Sequence, residues 1–430
     1  MSEQLNEWRN KYQALDVTEL ELNQAMEIGL DKAKQKKKRV HYRVGTLVVA
    51  AIFFLSVITL VNISPVFAQQ LENIPGMEKL ISLVQFNKGQ KAAIENEYYQ
   101  ILNRAEKKDE LALTIDGVIR DEKGLVIFYT IESEKAWEQL RIKEIEILSG
   151  EGQELSDYTM SYYSPGEGNF DEYSGVVEIF SEQRIPFDQF KVTTKIVAEN
   201  SSGREEVEET FEIAFEALAT KESKYYSIDE TVEVDDQKIH VESVTIHPLR
   251  VEVKLQTDPS NTMHIFSIDD LAIVNESGEI WSGISGGITA SGSMEENNYK
   301  VYLQSNYFEN PDNLTLAFSK IQAVEKEKNY LRLDLENEQI LHDPYGVFID
   351  MKYENNKLAL TMPVADINFP LGQIYDQNGN EIENQLDSAM KQVGDLQIFE
   401  KVIYTEETII DVRLNGYPNW ITKEVKISIK

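Results

Sequence analysis

The chain has 430 residues, 42 Lys or Arg against 74 Asp or Glu, a net charge of −32 and no cysteine. The missing cysteine excludes structural disulfides, thiolate catalysis and Cys-ligated metal, and the negative charge argues against nucleic acid as a partner of the body. With 42% of residues apolar, the length suffices for about three domains of ordinary size, each with its own core.

The charge is uneven. Before Val44, nine basic residues stand against seven acidic; Val44 to Ile63 carries no charge; the remainder holds 33 basic and 67 acidic residues. In the first 43 residues, Leu5, Trp8, Tyr12 and Leu15 share one helical face. Asp16 with Glu19 three positions on forms a capping box that opens a second apolar-striped helix, Leu20 to Leu30. Two short helices bury little surface alone. Their stripes either lie on a membrane surface or dock a cytoplasmic partner, and Trp8, Tyr12 and Leu15 are then the candidate anchors.

Val44 to Ile63 is an apolar run in which thirteen of 20 residues are Val, Ile, Leu or Phe. As a helix it spans roughly 30 Å, a bilayer core, and those side chains favour insertion by about 4–8 kcal/mol. Lys32, Lys34, Lys36, Lys37, Lys38, Arg39 and Arg43 precede it, whereas the first basic residue after it is Lys79. Positive-inside asymmetry places the N-terminus in the cytoplasm and the acidic bulk outside, with Lys36, Lys37, Lys38, Arg39 and Arg43 against lipid headgroups. Val66 and Ala68 fit the −3 and −1 positions of a signal peptidase site, so Ala68 is the candidate cleavage point. The apolar run and the region before it are both longer than those of an ordinary signal peptide, and an uncleaved anchor is the expectation.

Beyond Pro75–Gly76, the spacing of Met77, Leu80, Ile81 and Val84, and then of Ile94, Tyr98, Ile101 and Ala105, predicts two short amphipathic helices within residues 64–108. From Leu111 the period becomes two. Leu111, Leu113 and Ile115, then Leu125, Ile127, Tyr129 and Ile131, predict a strand pair across "DEKG", and strand-like runs continue to the C-terminus.

A weak repeat runs through this region. "EILSGEGQEL" from Glu146, "AIVNESGEIW" from Ala272 and "QIYDQNGNEI" from Gln373 each read as strand, Gly-containing turn, strand. An alternating pair precedes each, from Leu111, Lys238 and Gly346. A strand near a proline follows each, from Ile185, Asn310 and Tyr417. The unit recurs at the size of a β-sandwich, predicting β domains over 109–221, 222–343 and 344–430.

Candidate chemistry is sparse. "GISGG" fits G-x-S-x-G around Ser285 but sits in a Gly/Ser loop among β segments, without the strand-to-helix context of a nucleophile elbow. His41, His240, His247, His264 and His342 show no metal-ligand spacing, and "DQNG" at Asp376 reads as a hairpin turn, too short for a calcium loop. "YTMSYYSPGEGNFDEYSG" offers Tyr158, Tyr162, Tyr163, Phe170 and Tyr173 as an aromatic surface or as a loop packed on a sheet. No enzyme activity, metal or cofactor is expected.

The basic flank and span, "SPVFAQQLENIPG", the amphipathic helices and "GLVIFYTIES" resemble a family of single-pass envelope proteins of monoderm bacteria, with an extracytoplasmic domain of unknown function, often presumed anti-sigma factors. "IDETVEVDDQKIHVESVTIHPLRVEVKL" resembles a second uncharacterised β domain that follows it; together the resemblance covers Ala33 to Ile321. It implies a membrane-anchored regulator with outer β sensor domains and a tail that binds a sigma factor, although the tail is shorter than a full anti-sigma domain. An envelope protease or a cell-wall component would be the outer partner. The alternative is a surface binding or structural protein whose N-terminus is only an anchor. The expected architecture is mainly β: helical tail 1–43, transmembrane helix 44–63, two short amphipathic helices, then tandem sandwich-like domains.

Overall fold

The computed structural model of the protein describes residues 77–163, 165, 168–200, 206–284, 289–292, 299–309, 311–365, 367, 370–382 and 388–430. The chain is mainly β, built of antiparallel sheets. Among the described residues no helix is long and apolar enough to cross a membrane. The span Val44 to Ile63, the tail with Trp8, Tyr12 and Leu15, the basic flank and Ala68 lie outside the described residues.

Two short helices, α1 (Met77–Leu83) and α2 (Lys88–Glu95), lead into the first sandwich. The Asn87 side chain caps α2 by accepting from the Gln90 amide at 3.1 Å. The sequence periodicity extends this helix to Ala105, but it stops at Asn96, where Glu97 takes a left-handed φ of 58°. The following Gln100–Lys108 is strand β1, drawn into the sheet by pairing with the next strand. Tyr98 helps fix the exit, its hydroxyl donating to the Arg120 carbonyl at 2.6 Å.

Sandwich 1 then comprises β2 (Leu111–Arg120), β3 (Gly124–Trp137), β4 (Gln139–Ser149), β5 (Tyr158–Tyr162), β6 (Phe170–Ser181), β7 (Gln189–Glu199) and β8 (Glu206–Glu216). One sheet runs β1-β2-β3-β6-β5 and the other β4-β7-β8. Alternation along β2 sends Leu111, Leu113 and Ile115 inward against Phe190, Phe211 and Ile213 of the facing sheet. The outward face of the larger sheet is also apolar, with Val126 and Phe128 buried, and the helical hairpin, which buries its own Ala93 and Ile94, contacts this sheet at β2 and β6.

Sandwich 2 repeats this plan. Its strands are β9 (Lys224–Val234), β10 (Gln237–Ile246), β11 (Arg250–Thr257), β12 (Met263–Ile268), β13 (Ala272–Asn275), β14 (Ile280–Trp281), β15 (Ala290–Ser291), β16 (Tyr299–Gln304) and β17 (Leu314–Glu325). The order β9-β10-β11-β16-β15 matches β1-β2-β3-β6-β5 strand for strand, and β13 pairs with β17 as β4 pairs with β7. Sandwich 3 contains β18 (Tyr330–Asp334), β19 (Gln339–His342), β20 (Asp350–Glu354), β21 (Lys357–Pro363), β22 (Leu371–Tyr375), β23 (Glu381–Ile382), β24 (Ser388–Val393), β25 (Leu396–Val402) and β26 (Ile409–Leu414). Its sheets run β20-β21-β25-β24 and β19-β18-β26-β22-β23.

The weak sequence repeat is one geometry used three times. Ser149, Asn275 and Asp376 each donate a backbone N–H to the carbonyl four residues on, at 2.8–3.1 Å, and accept from the glycine amide three residues on, at 2.9–3.1 Å. Their side-chain oxygens cap the amide at position four: Gln153 at 2.8 Å, Glu279 at 2.8 Å and Asn380 at 2.8 Å. Gly152, Gly278 and Gly379 take φ of 86°, 84° and 83°, which only glycine adopts without strain.

The strands on either side of residue 343 do not sort as the expected boundaries have them. The last strand, β27 (Trp420–Ser428), pairs with β17 of sandwich 2, and Ile421, Val425, Ile427 and Ile429 lie in that sandwich's core. Conversely β18, which directly follows β17, pairs with β26 and places Leu331 and Leu333 in the core of sandwich 3. In sandwich 1 the corresponding strand β8 folds straight back on β7. The two later sandwiches have therefore traded this edge strand: β17 is followed by a strand given to sandwich 3, and β26 by one returned to sandwich 2. A division between 343 and 344 therefore separates β18 and β19 from the rest of sandwich 3 and β27 from the rest of sandwich 2; the crossings are at 326–329 and 415–419. Asn419 Nδ2 donates to the Ala323 carbonyl at 2.7 Å, Ala323 N–H donates to the Asn419 carbonyl at 3.0 Å, and Tyr417 N–H donates to Gln322 Oε1 at 3.1 Å, tying the second crossing to the end of β17.

Candidate functional site

The aromatic segment singled out in the sequence folds mostly onto the sheet. Tyr158, Tyr162, Phe170 and Tyr173 pack partly buried against the core of sandwich 1, while Tyr163 stays 65% exposed. Burial pushes the Tyr129 hydroxyl well above the ordinary phenol range; it donates to the Tyr163 carbonyl at 3.4 Å, and Tyr173 does so at 3.2 Å. Tyr162 and Tyr163 line a groove of about 370 Å³ between the helical hairpin and β5–β6, together with Leu83, Val84, Phe86, Val176 and the polar Asn87, Gln90, Ser161 and Glu178. Phe86 projects at the rim, 76% exposed.

Glu178 is the distinctive member of this groove. It alternates with the core residues Val177 and Ile179, so it points to the outward face of the sheet, under α2. Gln90 Nε2 donates to its Oε1 at 2.6 Å, while Oε2 is buried with no hydrogen-bond partner among the described residues. Burial pushes the Glu178 carboxyl upward, outweighing the lowering effects of the Gln90 bond and of Arg250.

A second concentration of buried polar groups joins sandwiches 1 and 2. The turn between β2 and β3 docks on the turn between β10 and β11. Asp121 is buried and accepts from Lys123 N at 2.9 Å, Gly124 N at 2.6 Å and, across the junction, Leu249 N at 3.1 Å. Arg250 is buried between Phe180 of sandwich 1, 4.1 Å away, and Tyr302 of sandwich 2, 4.0 Å away. Lys123 pairs with Glu252 at 3.1 Å, and Glu182 accepts from Lys300, Ser291 and Tyr302. Burial raises the Glu182 carboxyl, but the Lys300 and Ser291 bonds outweigh it and hold it at about 2. Ser223 donates to Glu122 at 2.8 Å, so His247 Nδ1, 2.6 Å away, is the donor to Ser223 and Nε2 is a buried acceptor without a partner among the described residues. Helix α2 closes this junction: a Cβ on Gly89 would lie 2.7 Å from Ser305 N, and Lys88 N donates to Gln304 at 2.9 Å.

The other sequence candidates are dispersed. His240 bonds Thr231 at 3.1 Å, His264 packs edge-on against Phe266 and His342 stacks on Tyr330; His41 and Ser285 lie outside the described residues. Among the described residues no three His, Cys, Asp or Glu side chains form a metal-binding group. No pattern in the sequence singles out Glu178, Asp121 or Arg250, because a lone charged residue in an alternating strand, or an aspartate in a turn, looks like any solvent-facing position.

The fold defines a chain of three tandem antiparallel sandwiches preceded by a helical hairpin. Its family matches agree with a protein assembled from domains of unknown function: residues 37–133 match a domain of unknown function (DUF4179) and residues 223–342 a family of unknown function (DUF5643). No curated protein matches significantly. Among solved structures, a conserved domain protein from Bacillus anthracis is 18% identical, with a TM-score of 0.39 over 57% of this chain and 84% of that one. The titin I-band fragment I67–I69 is 8% identical, with a TM-score of 0.14 over 70% of this chain and 90% of that one. Its E-to-A variant gives 8% and 0.14 over 71% and 92%.

Proposed function

We propose that the chain is a single-pass, membrane-anchored envelope regulator. Residues 1–43 lie in the cytoplasm and bind a partner, a sigma factor being the class that the family resemblance suggests; Val44 to Ile63 is the anchor; and the three sandwiches form an extracytoplasmic sensing arm. The observation that carries this reading is the extent of the 37–133 match, which joins the basic flank and the apolar span to β1, β2 and part of β3 as one domain. In this reading the anchor and the first sandwich act together. A signal crossing one helix needs a two-state event, and cleavage near Ala68 by an envelope protease supplies one. The test compares the full-length chain with a Trp8→Ala, Tyr12→Ala, Leu15→Ala variant in cells. Crosslinking of a sigma factor that the variant loses, with sigma-dependent transcription rising, supports the reading. A chain that crosslinks no sigma factor and changes no transcription overturns it.

A second reading has its own observation. The strand trade between sandwiches 2 and 3 and the buried junction between sandwiches 1 and 2 suit a stiff surface arm that holds a cell-wall component, the N-terminus serving only as an anchor. It prevails if the arm on a foreign anchor restores every phenotype of a deletion strain.

A further inference from the structure

The groove beside β5 holds an acid that its aromatic and aliphatic lining does not explain. A carboxylate removed from water is costly unless it is paired. Glu178 lies on the groove, held by one neutral donor, Gln90, with Oε2 buried and unpartnered among the described residues. Phe86, Tyr162, Tyr163, Leu83 and Val176 give the groove an aromatic and aliphatic side, and Asn87, Gln90 and Ser161 line the remainder. The groove's volume of about 370 Å³ falls within the range of ligand pockets. Aromatic and aliphatic walls beside a carboxylate with one unpaired oxygen match a cation on an apolar stem, whose methylenes contact the walls and whose charge meets the acid.

We propose that this groove binds the side chain of a lysine presented by a basic peptide, with the ε-ammonium on Glu178 and the alkyl stem against Phe86, Tyr162 and Tyr163. Lysine is favoured over arginine by the hydrogen-bond count. Gln90 already occupies Oε1, so one oxygen remains, which suits a single-point ammonium and forfeits the two-pronged contact of a guanidinium. The body's surplus of acidic residues, 67 against 33 basic beyond the span, draws such a peptide toward the surface. This binding is independent of whether the chain controls a sigma factor.

The experiment is ligand-observed saturation-transfer NMR on the full-length chain, with Nα-acetyl-lysine-N-methylamide and its norleucine and arginine analogues as probes. The lysine probe is expected to saturate in the millimolar range, as suits one side chain, with the norleucine probe at least about tenfold weaker and the arginine probe between them. Glu178→Gln, which keeps shape and can still accept from Gln90, should abolish the lysine preference. Phe86→Ala changes a side chain 76% exposed, leaves the fold intact and should weaken lysine binding several-fold. No saturable binding, equal binding of lysine and norleucine probes, or a lysine preference that survives Glu178→Gln would each overturn the proposal.

Discussion

The strand trade makes a prediction that ordinary tandem domains do not. Ile427 lies on β27, 1% exposed in the core of sandwich 2 and paired with the fully buried Leu316. Ile427→Ala removes three buried carbons, worth roughly 2–2.5 kcal/mol of transfer free energy. The cavity left among Leu316, Val425 and their neighbours brings the cost to about 3–4 kcal/mol. For a cooperative unit of roughly 200 residues that is a fall in melting temperature of about 6–16 °C. Because β18 and β27 cross in opposite directions between the sandwiches, neither core can open without losing a strand of the other. Native-state hydrogen exchange reads this directly. The slowest amides of β17, in sandwich 2, and of β26, in sandwich 3, should exchange with the same free energy, and Ile427→Ala should lower both by the same amount. Leu333→Ala, on the strand traded the other way and fully buried in sandwich 3, should do likewise. If Ile427→Ala lowers protection in β17 and leaves β26 unchanged, the two sandwiches fold independently and the coupling argument fails.

Three further outcomes follow from the same contacts. Gly89→Ala places a Cβ 2.7 Å from the Ser305 amide nitrogen and should cost about 1–3 kcal/mol, seen as faster exchange at α2, despite alanine's better helix propensity. His247 is buried neutral and its folded-state value lies below the ordinary 6.5, the cause being burial, partly offset by Asp121 and Glu252. The unfolded chain therefore takes up the proton first, and stability falls as pH drops below about 6.5 until the lower folded value is reached, with a slope approaching about 1.4 kcal/mol per pH unit. Denaturant titrations at pH 7.5 and 5.5 should show the fall, and His247→Gln should flatten it. Gly152→Ala, Gly278→Ala and Gly379→Ala meet no neighbour within 4 Å, so each should cost about 1 kcal/mol by backbone strain alone, measured as equal shifts in denaturation midpoint.

Much of the fold is readable because β-sandwiches write their faces into alternation. Leu111, Leu113 and Ile115 announce an inward face, and Asn275 to Gly278 a turn that only Gly closes. The end of α2 was not readable, since Ile94, Tyr98, Ile101 and Ala105 keep helical spacing by coincidence. Only the Asn96 stop and the pairing of β1 with β2 exclude a longer helix. The groove and the junction were less legible still. Glu178 and Arg250 occupy ordinary strand positions, and what makes them unusual is burial by α2 and by a neighbouring sandwich, which periodicity within one strand does not encode.

The strand trade marks where such reading ends. Local sequence specifies that a segment is extended, and which face is apolar, but not which edge it joins. "YPNWITKEVKISI" reads like the proline-led strands β7 and β17, whereas topology makes β26, with no proline before it, their counterpart, pairing with β22 as β7 pairs with β4 and β17 with β13. Proline ahead of β27 serves a different end. Tyr417 is fully buried and Pro418 follows it in the crossing, where the Tyr417 hydroxyl bonds Asp343 and its amide bonds Gln322 of sandwich 2. A fixed φ at that point narrows the unfolded ensemble of a segment that must pass between two cores. Proline there directs the chain out of one sandwich and into another, and the same residue that suggests a repeat is part of what breaks it.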